Sequence, residues 1–176
     1  MVELVRQNLK INKARFAKAK REILDSIDAD IIVEHVGSTA IPKMYGKNIV
    51  DVLVGVNNRD DFNTAIKGLE KIGFIGSEKS RSDEYMFFAP YLGETHDGDV
   101  HVHIVLKNTK RIDDFLLLRD YLLSHPKEAK DYSDFKKNLI KSGVTDRKEY
   151  KRIKALYVSD LIQKAIKNEE KKFKKI

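Results

Sequence analysis

His35-Val36-Gly37-Ser38-Thr39-Ala40-Ile41-Pro42, followed after four residues by Lys47-Asn48-Ile49-Val50-Asp51-Val52-Leu53-Val54-Gly55-Val56, decides how this chain is read. The β-branched run Ile31-Ile32-Val33-Glu34-His35-Val36 predicts a short strand stopped by Gly37. The run from Asn48 to Val56 predicts a longer buried strand interrupted by one acid, Asp51. Between them, Gly37 to Pro42 predicts a turn that enters a short helix or an irregular loop. A strand that ends in Gly-Ser and feeds a helical turn exposes unpaired backbone N–H groups and a hydroxyl at one point, an arrangement suited to phosphate. Asp51 sharpens this reading, because an unpaired carboxylate is costly to bury among Val50, Val52 and Leu53. Such an acid belongs in a cleft, where it can hold a cation.

Working outward, Phe16, Ala19, Ile23, Leu24 and Ile27 recur at helical spacing, interrupted by Lys20, and predict an amphipathic helix over roughly residues 3–27. Phe62 to Lys71 suits a helix capped at Gly73, with a strand starting at Phe74-Ile75. Tyr85 to Ala89 and Val100 to Leu106 read as two more strands, joined by the turn-rich Gly93-Glu94-Thr95-His96-Asp97-Gly98-Asp99. The remainder is helical: Ile112 to Ser124, a second helix after Pro126, and a third from about Asp146 towards the end. The expectation is a single α+β domain over residues 1–176, with an N-terminal helix in 1–28, a sheet core in 29–107, and a helical layer with a basic tail in 108–176. Its helices are expected to pack on one side of a mixed sheet.

Composition sets limits on function. The chain has 176 residues, 41% of them hydrophobic, with no Cys and no Trp, which excludes disulfides and thiolate metal sites. A chain of this length buries about 70% of its unfolded surface and needs no structural metal to fold. The opening segment MVELVRQNLKINKARF carries charge throughout, and no stretch approaches the apolar length of a membrane span. A cytoplasmic location without membrane association is expected. The net charge of +7 favours polyanions, but the thirteen residues from Lys164 to Ile176 hold six Lys against Glu169 and Glu170. More than half of the excess therefore sits at a terminal helix end, so the charge gives no support to a nucleic-acid partner. The chain lacks a GxxxxGK[ST] run, GxGxxG, HExxH and a Gly-x-Ser-x-Gly elbow. Ser38 could serve as a nucleophile only beside a positioned base, and the nearest basic side chain in sequence is His35.

The segments His35 to Pro42, Lys47 to Val52, His101-Val102-His103-Ile104-Val105, and Leu118-Arg119-Asp120-Tyr121-Leu122 with Pro126, Ala129, Tyr132 and Lys136 together resemble the GrpB family. The resemblance runs over residues 34–157. That family is grouped by similarity with the DNA polymerase beta-like nucleotidyltransferase fold. The resemblance implies a nucleotidyltransferase-like mixed sheet, a Gly-Ser turn that grips nucleotide phosphates, and acids on neighbouring strands that bind divalent ions during nucleotidyl transfer. On this chain Gly37, Ser38 and Thr39 match the turn, and Asp51 matches the first metal-binding acid, the expected catalytic residue, with Mg or Mn as its ion. Leu53 stands where the second acid is expected, and the strand of the third acid offers His101 and His103. Two-metal chemistry uses both ions to steady the attacking and leaving oxygens, so the missing carboxylate bears directly on turnover.

His101 and His103 share one strand face, and with Asp51 they form a set that suits a transition metal better than Mg. The competing role is hydrogen bonding within the sheet or to Asp51, with no ion bound. Glu34 and His35 precede the turn as supporting groups, with a strand-end ion pair as the alternative. Three cations interrupt apolar helical stripes: Arg119 falls close to Ile112 on a helical wheel, Lys136 lies between Tyr132 and Leu139, and Lys154 lies between Tyr150 and Tyr157. Phosphate binding competes with snorkelling for the two lysines and with a buried acid pair for Arg119. Arg81, in the polar run Ser77 to Ser82, is a further phosphate candidate, and a surface loop explains it equally well. Three functions fit: a nucleotidyltransferase-like protein that binds a nucleoside triphosphate and a divalent metal, a catalytically inactive nucleotide or anion-binding regulatory module, and a metal-dependent phosphohydrolase.

Overall fold

The computed structural model describes residues 2–76, 84–88 and 100–173. The chain opens with a two-residue strand, β1 (Val5–Arg6), and helix α1 (Leu9–Ser26). The helix starts at Leu9 rather than near residue 3, because the Asn8 side chain accepts from the Ile11 N–H and caps it there. β2 (Ile32–Val36) leads through Gly37 into a 3₁₀ turn, Ser38–Ala40, then β3 (Tyr45–Gly46) and the buried strand β4 (Val50–Val56). Next come α2 (Arg59–Lys71), β5 (Ile75–Gly76), β6 (Glu84–Phe88) and β7 (Val100–Leu106). α3 (Lys110–Ser124), α4 (Pro126–Lys141) and α5 (Arg147–Phe173) follow. Pro126 opens α4 at its first position, where the missing N–H has no partner to lose. The turn expected over Gly93 to Asp99 lies outside the described residues.

Five strands make one sheet in the order β2-β4-β7-β6-β5. β4 and β7 run parallel from Val50↔Val100 to Val56↔Leu106, and the other neighbours pair antiparallel. Val52, Leu53 and Val54 are all wholly buried, so β4 is covered on both faces and reads as an unbroken apolar run. One face carries Val33, Val52, Val54, Val102 and Ile104 and packs on Ala19 and Ile23 of α1 and on Phe62, Ala65 and Leu69 of α2. The opposite face carries Val36, Leu53 and Val105 beneath Ile112, Phe115 and Leu116 of α3. The expected gathering of helices on one side thus holds for α1 and α2, while α3 crosses the other face to cover Leu53. A further apolar cluster joins Tyr121 and Leu122 of α3, Ala129 and Tyr132 of α4, and Leu161 and Ala165 of α5 to Ile41 and Met44, just beyond the 3₁₀ turn. The C-terminal helices are thereby tied to the loop between β2 and β4. Among the described residues no helix is long and apolar enough to cross a membrane.

β1 and β3 form a separate two-stranded ladder, Val5↔Gly46 and Arg6↔Tyr45, locked by Gln7. The buried Gln7 amide donates to the carbonyls of Gly46 at 3.0 Å and Lys47 at 3.2 Å, and its oxygen accepts from Asn12 Nδ2 at 2.9 Å. Gln7→Ala would leave buried polar groups without partners, so a loss of about 2 kcal/mol is expected in chemical denaturation. An unchanged denaturation midpoint would show that the ladder holds without it.

Candidate anion and metal-binding site

Two glycines set the geometry of the site. Gly37 has φ +72° and ψ −169°, a conformation open essentially to glycine alone. A Cβ on Gly37 would lie 2.2 Å from Asp51 Oδ2, so the carboxylate occupies the space that a side chain would need. Asp51 lies opposite Val36 on one side and His101 on the other. Ser38 packs in the same way against Gly46, where an added Cβ would come within 2.6 Å of the serine Cβ. Strand-end sequence and glycine placement thus bring the Gly37-Ser38 turn, Asp51 and β3 together.

α4 closes this cradle from above. Ser133 Oγ accepts the Tyr45 N–H at 2.7 Å, and three residues later Lys136 Nζ donates to the Tyr45 carbonyl and, at 3.0 Å, to Ser38 Oγ. Lys136 lies over the Tyr132 ring and is only 1% exposed, and no carboxylate among the described residues pairs with it. Burial pushes its pKa down to about 7, the nearby Lys154 adds to the fall, and Asp51 opposes it. Burial also lowers Lys154, half-buried on α5, against the pull of Asp51. Lys47 is lowered by burial and then by the charges of Lys154 and Arg147. Three lysines therefore crowd one aspartate, leaving net positive charge that an anion would neutralise.

On the far side of Asp51 lie the histidines. Asp51 Oδ1 is 3.6 Å from His103 Nε2 and 3.8 Å from His101 Nδ1. His103 Nδ1 contacts Glu84 Oε1 at 2.7 Å, and the other Glu84 oxygen accepts from Arg111 Nε at 2.6 Å. Burial works against the Glu84 charge, yet His103 and Arg111 hold its pKa at about 2. Burial likewise opposes charge on His103, but the flanking Asp51 and Glu84 outweigh it and raise the pKa. Burial opposes charge on Asp51 too, and the histidines more than offset it, so its pKa falls. Among the described residues, no group of three or more acids and histidines is placed to hold a metal ion. The donor chemistry nonetheless suits one: Glu84 fixes His103 through Nδ1 and aims Nε2 at Asp51, the support that metal-ligating imidazoles usually have.

The other expected residues divide. Thr39 is fully buried, with its hydroxyl 2.9 Å from His35 Nε2, so it braces the turn and does not open into the cradle. His35 stacks on Phe16 at 4.7 Å, and burial lowers its pKa to about 4, leaving it neutral. Arg119 donates to Glu34 at 2.5 Å, to Asp120 at 2.7 Å and to the His35 carbonyl at 3.3 Å. The structure thus holds Arg119 in an acid pair at the edge strand β2, apart from the Lys136–Ser38 contact. Arg81 lies outside the described residues. Lys47, Glu84 and Arg111 were not singled out from the sequence. The signal for Glu84 was an acid opening the apolar run Glu84-Tyr85-Met86-Phe87-Phe88, the same kind of interruption that marked Asp51.

Comparison with known proteins places this architecture. The Cid1 poly(U) polymerase, solved in complex with its short product ApU, superimposes with a TM-score of 0.51 over 74% of this chain and 41% of its own, at 16% identity. The fold is nucleotidyltransferase-like. The GrpB protein family profile matches residues 2–164, and the chain belongs to that family. The crystal structure of GrpB from Enterococcus faecalis superimposes with a TM-score of 0.81 over 94% of this chain and 98% of its own, at 24% identity. A UPF0157 protein of Halalkalibacterium halodurans is 30% identical over 151 residues, which cover 86% of this chain and 74% of the relative.

Proposed function

We propose that this chain binds a nucleoside triphosphate by its phosphates in the cradle of Gly37, Ser38, Lys136 and Lys154, with a divalent cation at Asp51, and that nucleotidyl transfer is the associated reaction. The observation that carries the reading is Lys136, a buried cation with no carboxylate partner among the described residues, held on the Ser38 hydroxyl. A phosphate at that hydroxyl would give the ammonium its counter-charge, and Lys154 and Lys47 would add to the attraction. Asp51 would hold the cation, with His103 or His101 as nitrogen donors, which favours Mn or another imidazole-tolerant ion. When bound, the cation would neutralise charge on the phosphates. Gly37 and Ser38 orient the phosphate chain, and Lys136 offsets charge that develops on departing pyrophosphate.

One observation favours a second reading, a nucleotide-binding module without turnover. Leu53, where the second metal-binding acid is expected, is wholly buried beneath Ile112 and Phe115 of α3. A carboxylate would not be tolerated there without a repacked helix.

The test is thermal melting with a panel of nucleoside triphosphates, with and without Mg or Mn, on the natural chain and on Asp51→Ala. A ligand at about 100 times its dissociation constant adds about 2.7 kcal/mol, a rise of roughly 5–10 °C for a chain of this size. A metal-dependent rise that is lost in Asp51→Ala is expected, and no rise with any nucleotide would refute the reading. Pyrophosphate release would separate transfer from binding alone.

A further inference from the structure

From its sequence, Ser38 lacked a base. His35 is unavailable, since its Nε2 is engaged with Thr39 and its ring is stacked on Phe16. The fold instead brings Lys136 from 98 residues away to within 3.0 Å of the Ser38 hydroxyl. The other polar contact of the lysine nitrogen among the described residues is the Tyr45 carbonyl, which can only accept. A neutral amine in this position gives an N–H to that carbonyl and turns its lone pair to the serine O–H. Ser38 itself is held by the close approach of Gly46, and the left-handed Gly37 before it fixes the direction in which the hydroxyl leaves the strand.

We infer that Ser38 and Lys136 form a nucleophile and base pair through which this protein accepts the terminal phosphoryl group of a nucleoside triphosphate onto the Ser38 hydroxyl. The inference rests on the nucleotide reading of the cradle and goes beyond it. In the step, the Ser38 Oγ–P bond forms as the bond from that phosphorus to the bridging oxygen breaks. The nucleoside diphosphate leaves with the electron pair of the broken bond, and the hydroxyl proton moves to Lys136 Nζ. The resulting ammonium lies against the new phosphoserine, with Lys154 nearby, so the product stabilises the protonated base that made it. Among the described residues, the groups facing Lys136 divide: Lys154 from α5 disfavours its charge, the face of the Tyr132 ring and Asp51 from β4 favour it, and burial outweighs them. Burial lowers its pKa to about 7, within reach of a neutral base near neutral pH.

The experiment incubates the full chain with saturating ATP and Mg or Mn from about pH 6 to pH 9, a window around the lysine pKa, and follows phosphate incorporation by intact mass and peptide mapping. Nucleotide binding is measured in parallel by melting. One phosphate on Ser38 is expected, absent in Ser38→Ala and slowed at least about 100-fold in Lys136→Met. The rate should rise with pH, with a midpoint at or above about 7, because bound phosphate favours the ammonium. Should Lys136→Met fail to fold, the pH profile of the natural chain decides, and a flat profile overturns the base role. Nucleotide binding without modification of Ser38, or equal incorporation in Ser38→Ala, overturns this inference alone. Absence of nucleotide binding overturns it together with the proposed function.

Discussion

Gly37→Ala is expected to destabilise the protein by about 3 kcal/mol or more and to abolish the stabilisation by nucleotides proposed above. The new methyl group would meet Asp51 Oδ2 at 2.2 Å, with Asp51 Cβ and Cγ both at 3.0 Å. Relief by moving the carboxylate is opposed on its far side by the rings of His103 and His101, 3.6 Å and 3.8 Å from Oδ1. Relief by rotating the backbone is opposed by the turn, whose Ala40 N–H bonds the Gly37 carbonyl, and by the positive φ, which alanine disfavours. Both routes displace the hydroxyl and the acid that define the cradle. The melting temperature should fall by roughly 6–12 °C, and the nucleotide-dependent rise should vanish with it. A variant that melts with the parent would show that Asp51 is not wedged against this glycine.

Lys136→Met separates stability from binding in the opposite sense. The folded pKa of Lys136, about 7, lies below the ordinary lysine value of 10.5, so between these values the unfolded chain binds more protons and stability rises with pH. Below pH 7 both states are protonated, and the full cost of burying the ammonium is present. That cost is about 3–5 kcal/mol on the size of the shift, and losing the bonds to Ser38 and Tyr45 offsets part of the gain from removing it. Lys136→Met is therefore expected to be more stable than the parent near pH 6, by about 1–3 kcal/mol, with an advantage that shrinks as the pH is raised towards 10. Nucleotide affinity should fall at least about tenfold near pH 6, where the charged hydrogen bond proposed to phosphate would be lost, and by less at higher pH, where the parent lysine is neutral. Urea denaturation at several pH values, paired with nucleotide titration, measures both. A variant less stable than its parent at pH 6 would show that Lys136 fills a structural role, with its charge compensated in a way the ion pairs do not reveal.

Much of the architecture was legible because single residues carried strong local signals. Gly37 ended β2, Pro126 opened α4, and the interrupted apolar run marked β4. Asp51 and Lys136 could be found because each is a charge in an apolar pattern, and Lys136 proved buried where snorkelling was the alternative. Arg119 gave the same signal, yet the fold satisfies it with Glu34 and Asp120. Periodicity reveals that a charge faces inward and says nothing of what it meets there. β1 and β3 were invisible for another reason: two residues are too few to show a period, and their pairing depends on the Gln7 amide. The Glu84–His103 contact depends on the β6–β7 register, which is set by the assembled sheet and by no local sequence.

β7, the last strand of the sheet in sequence, sits between β4 and β6. During synthesis, every segment up to residue 99 can emerge while β4 still lacks one neighbour and β6 lacks another. Val52, Leu53 and Val54, all wholly buried in the finished fold, then border an open edge able to pair with another chain. Closure comes only when Val100 to Leu106 inserts, a non-local event that slows folding relative to a fold built from local contacts. Losses to aggregation on the ribosome should therefore be governed by how long β4 waits for β7, and substitutions that delay that insertion should lower yield even where the finished fold is as stable as before.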